Sequence, residues 1–415
     1  MKKYIFFIRE YNDWDNLGPI IYYIAKNNSS KICIFFYKKD LRNTNLFKYL
    51  NQKVGGNLEI FYQQPDKFNI FYSFLINIIN KFLRIFKFKI NFKINENLQE
   101  KAVQKWFKIM NLKQYSQLIC VFDRTIDPIL EIVQNQLKSL DCVFISCPHG
   151  PMTNTNRMIY KNQLKRSKNF CGLEIEKTEE IKKFLQYYNY LVFTDHIQAK
   201  LTEKYCIPIE KNKVDKLQIK VLGSIRYCKE WLNHVENFSP KILNKNNEKV
   251  KVVFFLKKFQ QNVFKSEVYR TLEIFALYPN IEFYIKPHTR GMVFPSKLKA
   301  ANVHIDIESS SSSLINMADV IFFYGGTSII LEAISKKKLT VCLDYLDSNK
   351  NIFELFEACK IFKCRDDLCC FLDSNITKVI KENNNSGEKI LNEIVYAGDN
   401  SVSVPNRYTN FFQNL

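Results

Sequence analysis

A glycine turn in the second half of the sequence could hold a phosphate. Residues 324 to 328 follow the apolar run Val320–Phe323, which predicts a buried strand, and they precede a segment with helical period. Glycines let the backbone approach a ligand closely, and free N–H groups at the start of a helix attract phosphate. A carboxylate one turn into that helix could accept hydrogen bonds from ribose hydroxyls. The expected nucleotide-binding residues here are Tyr324, Gly325, Gly326, Thr327, Ser328 and Glu332. The alternative is a capped turn that needs glycine only for its backbone dihedral angles.

Three basic side chains follow another predicted strand, Ile281–Ile285. Lys286, His288 and Arg290 come directly after it and could pair with a diphosphate or a carboxylate. The alternative is a solvated basic loop. The serines at residues 309 to 313 are expected to cap the helix that follows them. The alternative is that they offer hydroxyls to a nucleotide.

The first half of the sequence offers two candidate catalytic residues. His149 follows the predicted strand Val143–Cys147. Because the pKa of a His side chain lies close to neutral pH, His149 could act as the general base that deprotonates a hydroxyl. Asp123 ends the strand Leu118–Phe122 and could be that base or hold the imidazole of His149. The alternatives are a structural His in a turn, and a cap or an ion pair with Arg124 for Asp123.

Arg226 is a further candidate because it closes the first half of the chain. It follows Gly223 and Ser224 at the end of an apolar run, where glycine lets the backbone approach a ligand. We expect Arg226 to contact an anionic donor, unless it only forms a structural ion pair.

Short apolar runs alternate with longer segments of helical period, which predicts an α/β fold with parallel sheets. The first series of predicted strands is Tyr4–Ile8, Ile32–Tyr37, Leu118–Phe122, Val143–Cys147, Tyr190–Phe193 and Leu217–Leu222. The second is Val250–Leu256, Ile281–Ile285, Val320–Phe323 and Leu339–Leu343. Predicted helices include Pro128–Leu140, His196–Tyr205, Ser266–Leu277 and Ser328–Ser335.

A polar stretch near residues 237 to 248 separates the two series and reads as a linker. We therefore predict two Rossmann-like domains that face each other across a cleft. The first domain would comprise residues 1–238 and the second domain residues 248–395. Residues 396–415 would form a C-terminal segment that packs back on the first domain.

Composition narrows the function classes. The formal net charge of +20 comes mainly from dispersed Lys, and no nucleic-acid recognition pattern occurs, so we expect no nucleic-acid partner. The 12 Cys form no Cys-x-x-Cys pair and no Asp-x-Asp follows a strand, so we expect no metal and no other cofactor. No apolar run approaches the ~18 residues of a membrane span, and a cytoplasmic location is expected.

A basic aromatic insertion at residues 70–94 suggests peripheral contact with the inner face of the cytoplasmic membrane. Phe and Tyr alternate with Lys and Arg there, as in a helix that lies at a lipid headgroup boundary. A core helix followed by a solvated strand is the alternative.

Four short motifs resemble those of the GT-B glycosyltransferases, in particular bacterial enzymes of capsule and surface-polysaccharide synthesis. They are residues 148–150, 222–226, 286–289 and 324–328, the last with Glu332. Some elements are also similar to those of bacterial sialyltransferases, Kdo transferases and nucleotide-sugar 2-epimerases. The order Pro287-His288 differs from the His-Pro element of the first two groups.

The resemblance implies a metal-independent transfer of a sugar from a CMP- or UDP-type donor to a hydroxyl of a growing glycan of the capsule or lipopolysaccharide type. The donor would lie on the C-terminal domain, and the acceptor and the base on the N-terminal domain. Alternatives on the same scaffold are a CDP-alcohol polyol-phosphate transferase and a nucleotide-sugar 2-epimerase. An alternative of another class is a non-catalytic protein that binds anions or nucleic acid.

Overall fold

The fold is taken from a computed structural model of the 415-residue chain. It describes residues 2–27, 31–37, 39–62, 94–123, 127, 129–147, 150–151, 153–157, 169–170, 173–174, 184–206, 216–240, 249–259, 262–288, 300–383 and 387–415. His149 and Arg290 lie outside the described residues, as does the insertion 70–94 except for its last residue.

The first half of the chain forms a parallel sheet around its first strand. Strands are numbered in chain order, and this sheet has the order β10-β9-β5-β4-β1-β2-β3. Its members are β1 (Lys2–Ile8), β2 (Ile32–Phe36), β3 (Leu58–Tyr62), β4 (Gln117–Phe122), β5 (Cys142–Ser146), β9 (Tyr190–Phe193) and β10 (Gln218–Val221). All its pairings are parallel, and the direction of strand addition reverses between β1 and β4.

The second half repeats this arrangement in a six-stranded parallel sheet with the order β13-β12-β11-β14-β15-β17. Its strands are β11 (Val250–Phe255), β12 (Ile281–Lys286), β13 (Val303–Ile305), β14 (Val320–Phe323), β15 (Leu339–Leu343) and β17 (Lys360–Phe362). The reversal here lies between β11 and β14. Such reversals open the crevice in which doubly wound α/β proteins bind ligands.

Helices connect the strands and cover both sheets. In the described residues they are α1 (Tyr11–Asn27), α2 (Asn45–Val54), α3 (Ile94–Met110), α4 (Leu130–Leu137), α5 (His196–Cys206), α6 (Lys229–Phe238), α7 (Lys265–Ala276), α8 (Ser311–Met317), α9 (Ile330–Ser335), α10 (Ile352–Leu355), α11 (Arg365–Asp373), α12 (Ile376–Lys381), α13 (Glu388–Ile390) and α14 (Val404–Gln413). Within the described ranges, no helix has both the length and the apolar content needed to cross a bilayer.

The predicted fold class is confirmed: the chain is α/β, with two Rossmann-like sheets. All ten predicted strands and four predicted helices are present, with ends that differ by a few residues. The strands β3, β13 and β17 were not predicted. Each lies at a sheet edge, where one side of the strand is open and the apolar pattern is weaker. The domain boundaries at 238, 248 and 395 stay predictions.

Two features tie the halves together. One hydrophobic cluster is continuous from the first sheet, through Trp231 and Tyr408, to Phe255 and Phe323 of the second sheet. On another side, the short strand β6 (Asn154–Arg157) pairs antiparallel with β16 (Asn349–Asn351), and the Ile352 N–H donates to the Thr153 carbonyl oxygen at 2.9 Å. A further two-stranded pair joins β7 (Asn169–Phe170) and β8 (Leu173–Glu174).

The C-terminal helix α14 packs on α1 of the first half of the chain. The Tyr4 hydroxyl donates to the Phe412 carbonyl oxygen, and the Tyr408 hydroxyl donates to the Gly223 carbonyl oxygen. The Phe412 ring is fully buried and contacts the rings of Tyr4 and Phe6. The last residues of the chain therefore help to hold the first sheet.

Replacing Phe412 with Ala should lower the free energy of unfolding by about 3–5 kcal/mol, the range for large-to-small changes at buried aromatic residues. Urea denaturation followed by circular dichroism would measure it. The exposed Asn410 on the same helix supplies the control, because Asn410→Ala removes no buried contact. Equal stability of the two variants would show that α14 does not support the core.

Candidate functional site

The glycine turn lies at the carboxyl end of β14. Gly325 has a φ of +59°, and a Cβ at this position would overlap Oδ2 of Asp347 and lie 3.0 Å from Nζ of Lys257. Lys257 and Asp347 form an ion pair at 2.8 Å. The turn therefore requires glycine at residue 325, both for its positive φ and because a side chain would collide with this ion pair. The Tyr324 side chain is fully buried, and its hydroxyl donates to the carbonyl oxygen of Lys257 at 3.0 Å. Tyr324 thus anchors the turn in the core.

The rest of the turn leads into α9 and contacts the first half of the chain. The carbonyl oxygens of Thr327 and Ser328 accept from the N–H groups of Ile330 and Leu331. In the described part of the chain, the backbone N–H groups of residues 325 to 328 donate to no protein acceptor. The Ser328 hydroxyl accepts from the hydroxyl of Tyr227 at 3.0 Å. The turn therefore contacts the first domain through Ser328 and has backbone donors without an acceptor among the described residues.

Arg226 bridges the two halves of the chain. Its Nε lies 2.9 Å from Oδ2 of Asp15 in α1, and its Nη2 lies 3.7 Å from Oε2 of Glu332 in α9. Burial alone would lower the pKa of the guanidinium, but Asp15 and Glu332 outweigh that effect and raise it. This buried cation therefore contacts a carboxylate from each domain.

Glu332 has no exposed surface. Its Oε2 accepts from the Ser312 hydroxyl at 3.0 Å, and its Oε1 lies 3.3 Å from Nζ of Lys336. The carboxylate is therefore held by Ser312 and by the cations of Arg226 and Lys336. Contact with a ribose stays a prediction, and it requires part of this network to rearrange.

Lys286 holds the loop before α8. Its Nζ donates to the carbonyl oxygens of Ile307 at 3.3 Å and Ser309 at 2.5 Å, and burial lowers its pKa. Ser310 then caps α8 by accepting from the Ser313 N–H, as the serine run predicted. Ser312, in the first turn of α8, donates its hydroxyl to Glu332. The start of this helix therefore supports the same network as Arg226.

Asp123 lies at the carboxyl edge of the first sheet and is 2% exposed. Arg9, which follows β1, pairs there with Asp127 at 3.2 Å and with Asp13 at 3.8 Å. Burial alone would lower the pKa of Arg9, but the charges of Asp127, Asp13 and Asp123 raise it. Asp123 therefore belongs to an acidic group around one arginine.

The loop that contains His149 begins and ends beside this edge. Cys147 donates its N–H to the Phe122 carbonyl oxygen at 2.7 Å, and burial together with the charge of Asp123 raises the pKa of its thiol. Gly150 lines a small, partly open pocket together with Asn16, Ser224 and Arg226. Of the residues that flank His149, Cys147 therefore lies close to Asp123, and Gly150 lies close to Arg226. Its catalytic role stays a prediction.

The remaining residues predicted to bind the donor nucleotide are His288, Gly326 and Arg290. His288 is half-buried and lies two residues beyond the end of β12, at the carboxyl edge of the second sheet. Gly326 lies within the glycine turn, and Arg290 falls outside the described residues. Among the described residues, no group of His, Cys, Asp and Glu side chains is placed to hold a metal ion.

Sequence reasoning missed Arg9, Asp15, Lys257 and Asp347. Arg9 follows β1 and Lys257 follows β11, the first strand of each sheet in chain order. The other candidates were chosen because they follow predicted strands, and the same criterion would have found these two. Asp15 lies on α1 and Asp347 in the loop after β15, and no local pattern marks either as a partner of Arg226 or Lys257.

No protein-family model and no curated protein sequence matches this chain. Solved structures do match it along nearly its full length. UDP-GlcNAc 2-epimerase from Neisseria meningitidis is 13% identical with a TM-score of 0.53, covering 100% of this chain and 99% of that one. The MnaA structure from S. aureus is 10% identical with a TM-score of 0.51, covering 95% and 96%.

The wall teichoic acid polymerase TagF is also similar, at 12% identity and a TM-score of 0.52, covering 99% of this chain and 88% of that one. Identities this low establish the fold alone. The chain therefore has the two-domain GT-B type of fold, as the four motifs indicated, and its fold neighbours include nucleotide-sugar enzymes.

Arg226→Met should lower the free energy of unfolding by about 3–5 kcal/mol, because it leaves the buried Glu332 carboxylate without its interdomain partner. Chemical denaturation would measure the change. Arg270 is a matched control, since it pairs with Glu267 on the surface, where an ion pair contributes less than about 1 kcal/mol. Equal effects of Arg226→Met and Arg270→Met would contradict the interdomain role.

Proposed function

We propose that this protein is a glycosyltransferase that moves a sugar from a nucleotide-activated donor to a hydroxyl of a growing surface glycan of the capsule or lipopolysaccharide type. The observation that carries the proposal is the convergence of separate motifs at one interdomain seam. Arg226 contacts Glu332, Tyr227 contacts Ser328, and Gly150 lines the pocket beside Arg226. Residues far apart in sequence thus meet where two parallel sheets present their carboxyl edges.

The donor nucleotide is assigned to the second domain. The unused N–H groups of residues 325 to 328 supply hydrogen bonds to a phosphate, and His288 lies at the same sheet edge. The solved structures support a nucleotide ligand by analogy, since their complexes contain UDP-GlcNAc, UDP or CDPG. A CMP- or UDP-type donor is our working assignment.

The acceptor and the base are assigned to the first domain. The acceptor hydroxyl gives its proton to His149 or Asp123, and its oxygen forms a bond to the anomeric carbon. The bond from that carbon to the donor phosphate breaks, and the phosphate oxygen keeps the electron pair. Hydrogen-bond donors and cations at the second sheet stabilise the leaving nucleotide as its charge grows. No metal or other cofactor is part of this proposal.

A ligand screen tests the donor assignment. We expect at least one of UDP, CDP, CMP, GDP and dTDP to raise the melting temperature, because a ligand that binds only the folded state stabilises it by about 2.7 kcal/mol at 100 times its Kd. His288→Ala should reduce that shift, whereas His196→Ala, at an exposed position, should not. If none of the five nucleotides changes the melting temperature, the proposed function is wrong.

Loss of the base tests the mechanism. His149→Ala should lower the transfer rate about 10²–10⁴-fold, the usual contribution of a general base, and leave nucleotide affinity unchanged. Transfer is measured with a donor that contains the nucleotide found in the screen, with His196→Ala as the control. Unchanged turnover in His149→Ala would assign the role of the base to Asp123.

Product analysis separates the alternative reactions, because an epimerase needs no acceptor and a polyol-phosphate transferase leaves phosphate in its product.

A further inference from the structure

Exposed lysines collect at the amino edge of the first sheet. Because its seven strands are parallel, their amino ends lie side by side at this edge, opposite the carboxyl edge that contains the candidate site. With strands about 4.8 Å apart, the edge is about 29 Å wide. The helix ends and loops that lead into these strands contain seven exposed lysines, here called the lysine row: Lys26, Lys31, Lys53, Lys108, Lys113, Lys138 and Lys216.

The lysine row has little opposing charge. Within the described part of the chain, none of its seven lysines forms an ion pair with a carboxylate. The described helix ends and loops that lead into the strands contain one carboxylate side chain, Asp141. Glu59 in β3 lies nearby, but it is already paired with Lys3 at 2.7 Å. The edge therefore presents a nearly continuous positive charge to solvent.

Helix dipoles do not account for the whole row. A lysine in the last turn of a helix offsets the negative end of the helix dipole, and this explains residues such as Lys26 and Lys53. Lys31, Lys113 and Lys216, however, lie beyond the α-helices. Their charges have no such structural use in the described residues.

The second sheet shows that a lysine-rich composition does not by itself produce such a row. At its amino edge, Lys249 pairs with Glu282 at 2.9 Å and Lys336 pairs with Glu332 at 3.3 Å. Those two ammonium groups are neutralised within the protein, whereas the lysine row faces solvent.

The chemistry of the row suits the surface of a bilayer with anionic headgroups. Lysine is a compact point charge on a flexible stem, which suits many spread phosphates, whereas arginine is favoured where one phosphate is held in a fixed geometry. Ile109, beside Lys108 in the last turn of α3, is 63% exposed. An apolar side chain is stabilised at the headgroup boundary, where lysine stems also bury their methylene groups. A nucleic-acid backbone has no such apolar layer.

The opposite edge of the same sheet has a different charge. There Arg9 is surrounded by Asp13, Asp123 and Asp127. Strands of four to seven residues, at about 3.3 Å per residue, separate the two edges by about 13–23 Å. This distance exceeds the Debye length of ~10 Å at 0.1 M salt. An anionic surface therefore attracts the amino edge and leaves the candidate site open to solvent.

We propose that the lysine row docks this protein on a membrane surface rich in anionic lipid headgroups, with the carboxyl edge of the first sheet directed away from the bilayer. The docking surface is separate from the insertion at residues 70–94, whose contact with a membrane stays a prediction. Docking does not depend on the reaction assigned under the proposed function.

Co-sedimentation of the full chain with vesicles tests the proposal. The vesicles contain either phosphatidylcholine alone or equal amounts of phosphatidylcholine and phosphatidylglycerol. We expect the wild type to bind only the anionic vesicles and to dissociate as salt is added, because salt screens exposed charges. The combined changes Lys31→Gln, Lys53→Gln, Lys113→Gln and Lys138→Gln should lower the partition coefficient about 10²–10³-fold, at about fivefold per lysine.

Four exposed lysines of the second domain provide the matched control. The combined changes Lys360→Gln, Lys363→Gln, Lys381→Gln and Lys389→Gln alter the net charge equally, and this variant should bind as the wild type does. Equal loss in both variants would overturn the proposal, because net charge alone would then drive binding. Retained binding by the first variant, or absence of wild-type binding to the anionic vesicles, would also overturn it.

A second measurement reports the orientation without changing any lysine. Ile109→Trp adds an indole at the lysine row, and Leu355→Trp adds one in the second domain, where Leu355 is 66% exposed. Vesicles of brominated phosphatidylglycerol should quench the added fluorescence of Ile109→Trp and leave that of Leu355→Trp unchanged. Equal quenching of the two variants would contradict docking through this edge.

A DNA duplex serves as the competing occupant. We expect the wild type to bind it more weakly than the anionic vesicles. If the duplex binds more tightly than the vesicles, and the first lysine variant loses that binding, the occupant of the row is a nucleic acid and the proposal is wrong.

Discussion

The buried guanidinium of Arg226 is the interaction on which the arrangement of the two domains depends. A cation removed from water must meet carboxylates, and here one comes from α1 of the first domain and the other from α9 of the second. Together they bring the end of β10, the start of α1 and the turn after β14 to one point, so the interdomain seam is also the place where candidate site residues meet.

Parallel topology supplies the residues that surround this point. Each sheet places the carboxyl ends of all its strands at one edge. The loops that follow different strands are therefore neighbours in space although they are far apart in the sequence. Arg9, Asp123 and Cys147 meet at the edge of the first sheet, and Lys257 and Gly325 meet at the edge of the second. The ribbon of β6 and β16 then connects the loop after Gly150 to the loop after Asp347.

Much of the fold could be predicted because central parallel strands are apolar on both faces. Strands such as β1, β11 and β14 are almost wholly buried, and their β-branched and aromatic runs are unambiguous. Edge strands are different: β3 is only half-buried along its length, and β13 and β17 have three residues each. Their patterns are too short or too mixed to separate from loops, so the sheet width was underestimated.

Local sequence is enough to infer the alternation of strands and helices, the two-domain α/β class, and the polar residues that end particular strands. These features depend on local composition and period, which can be read from one sequence. The partners of these polar residues follow only from the tertiary structure. It gave Lys286 to the loop carbonyls of Ile307 and Ser309, and it enclosed Glu332 between Arg226 and Ser312. It also paired Lys257 with Asp347, which lies 90 residues away in the chain. Such pairings depend on where the chain returns in space, and no short-range pattern encodes that.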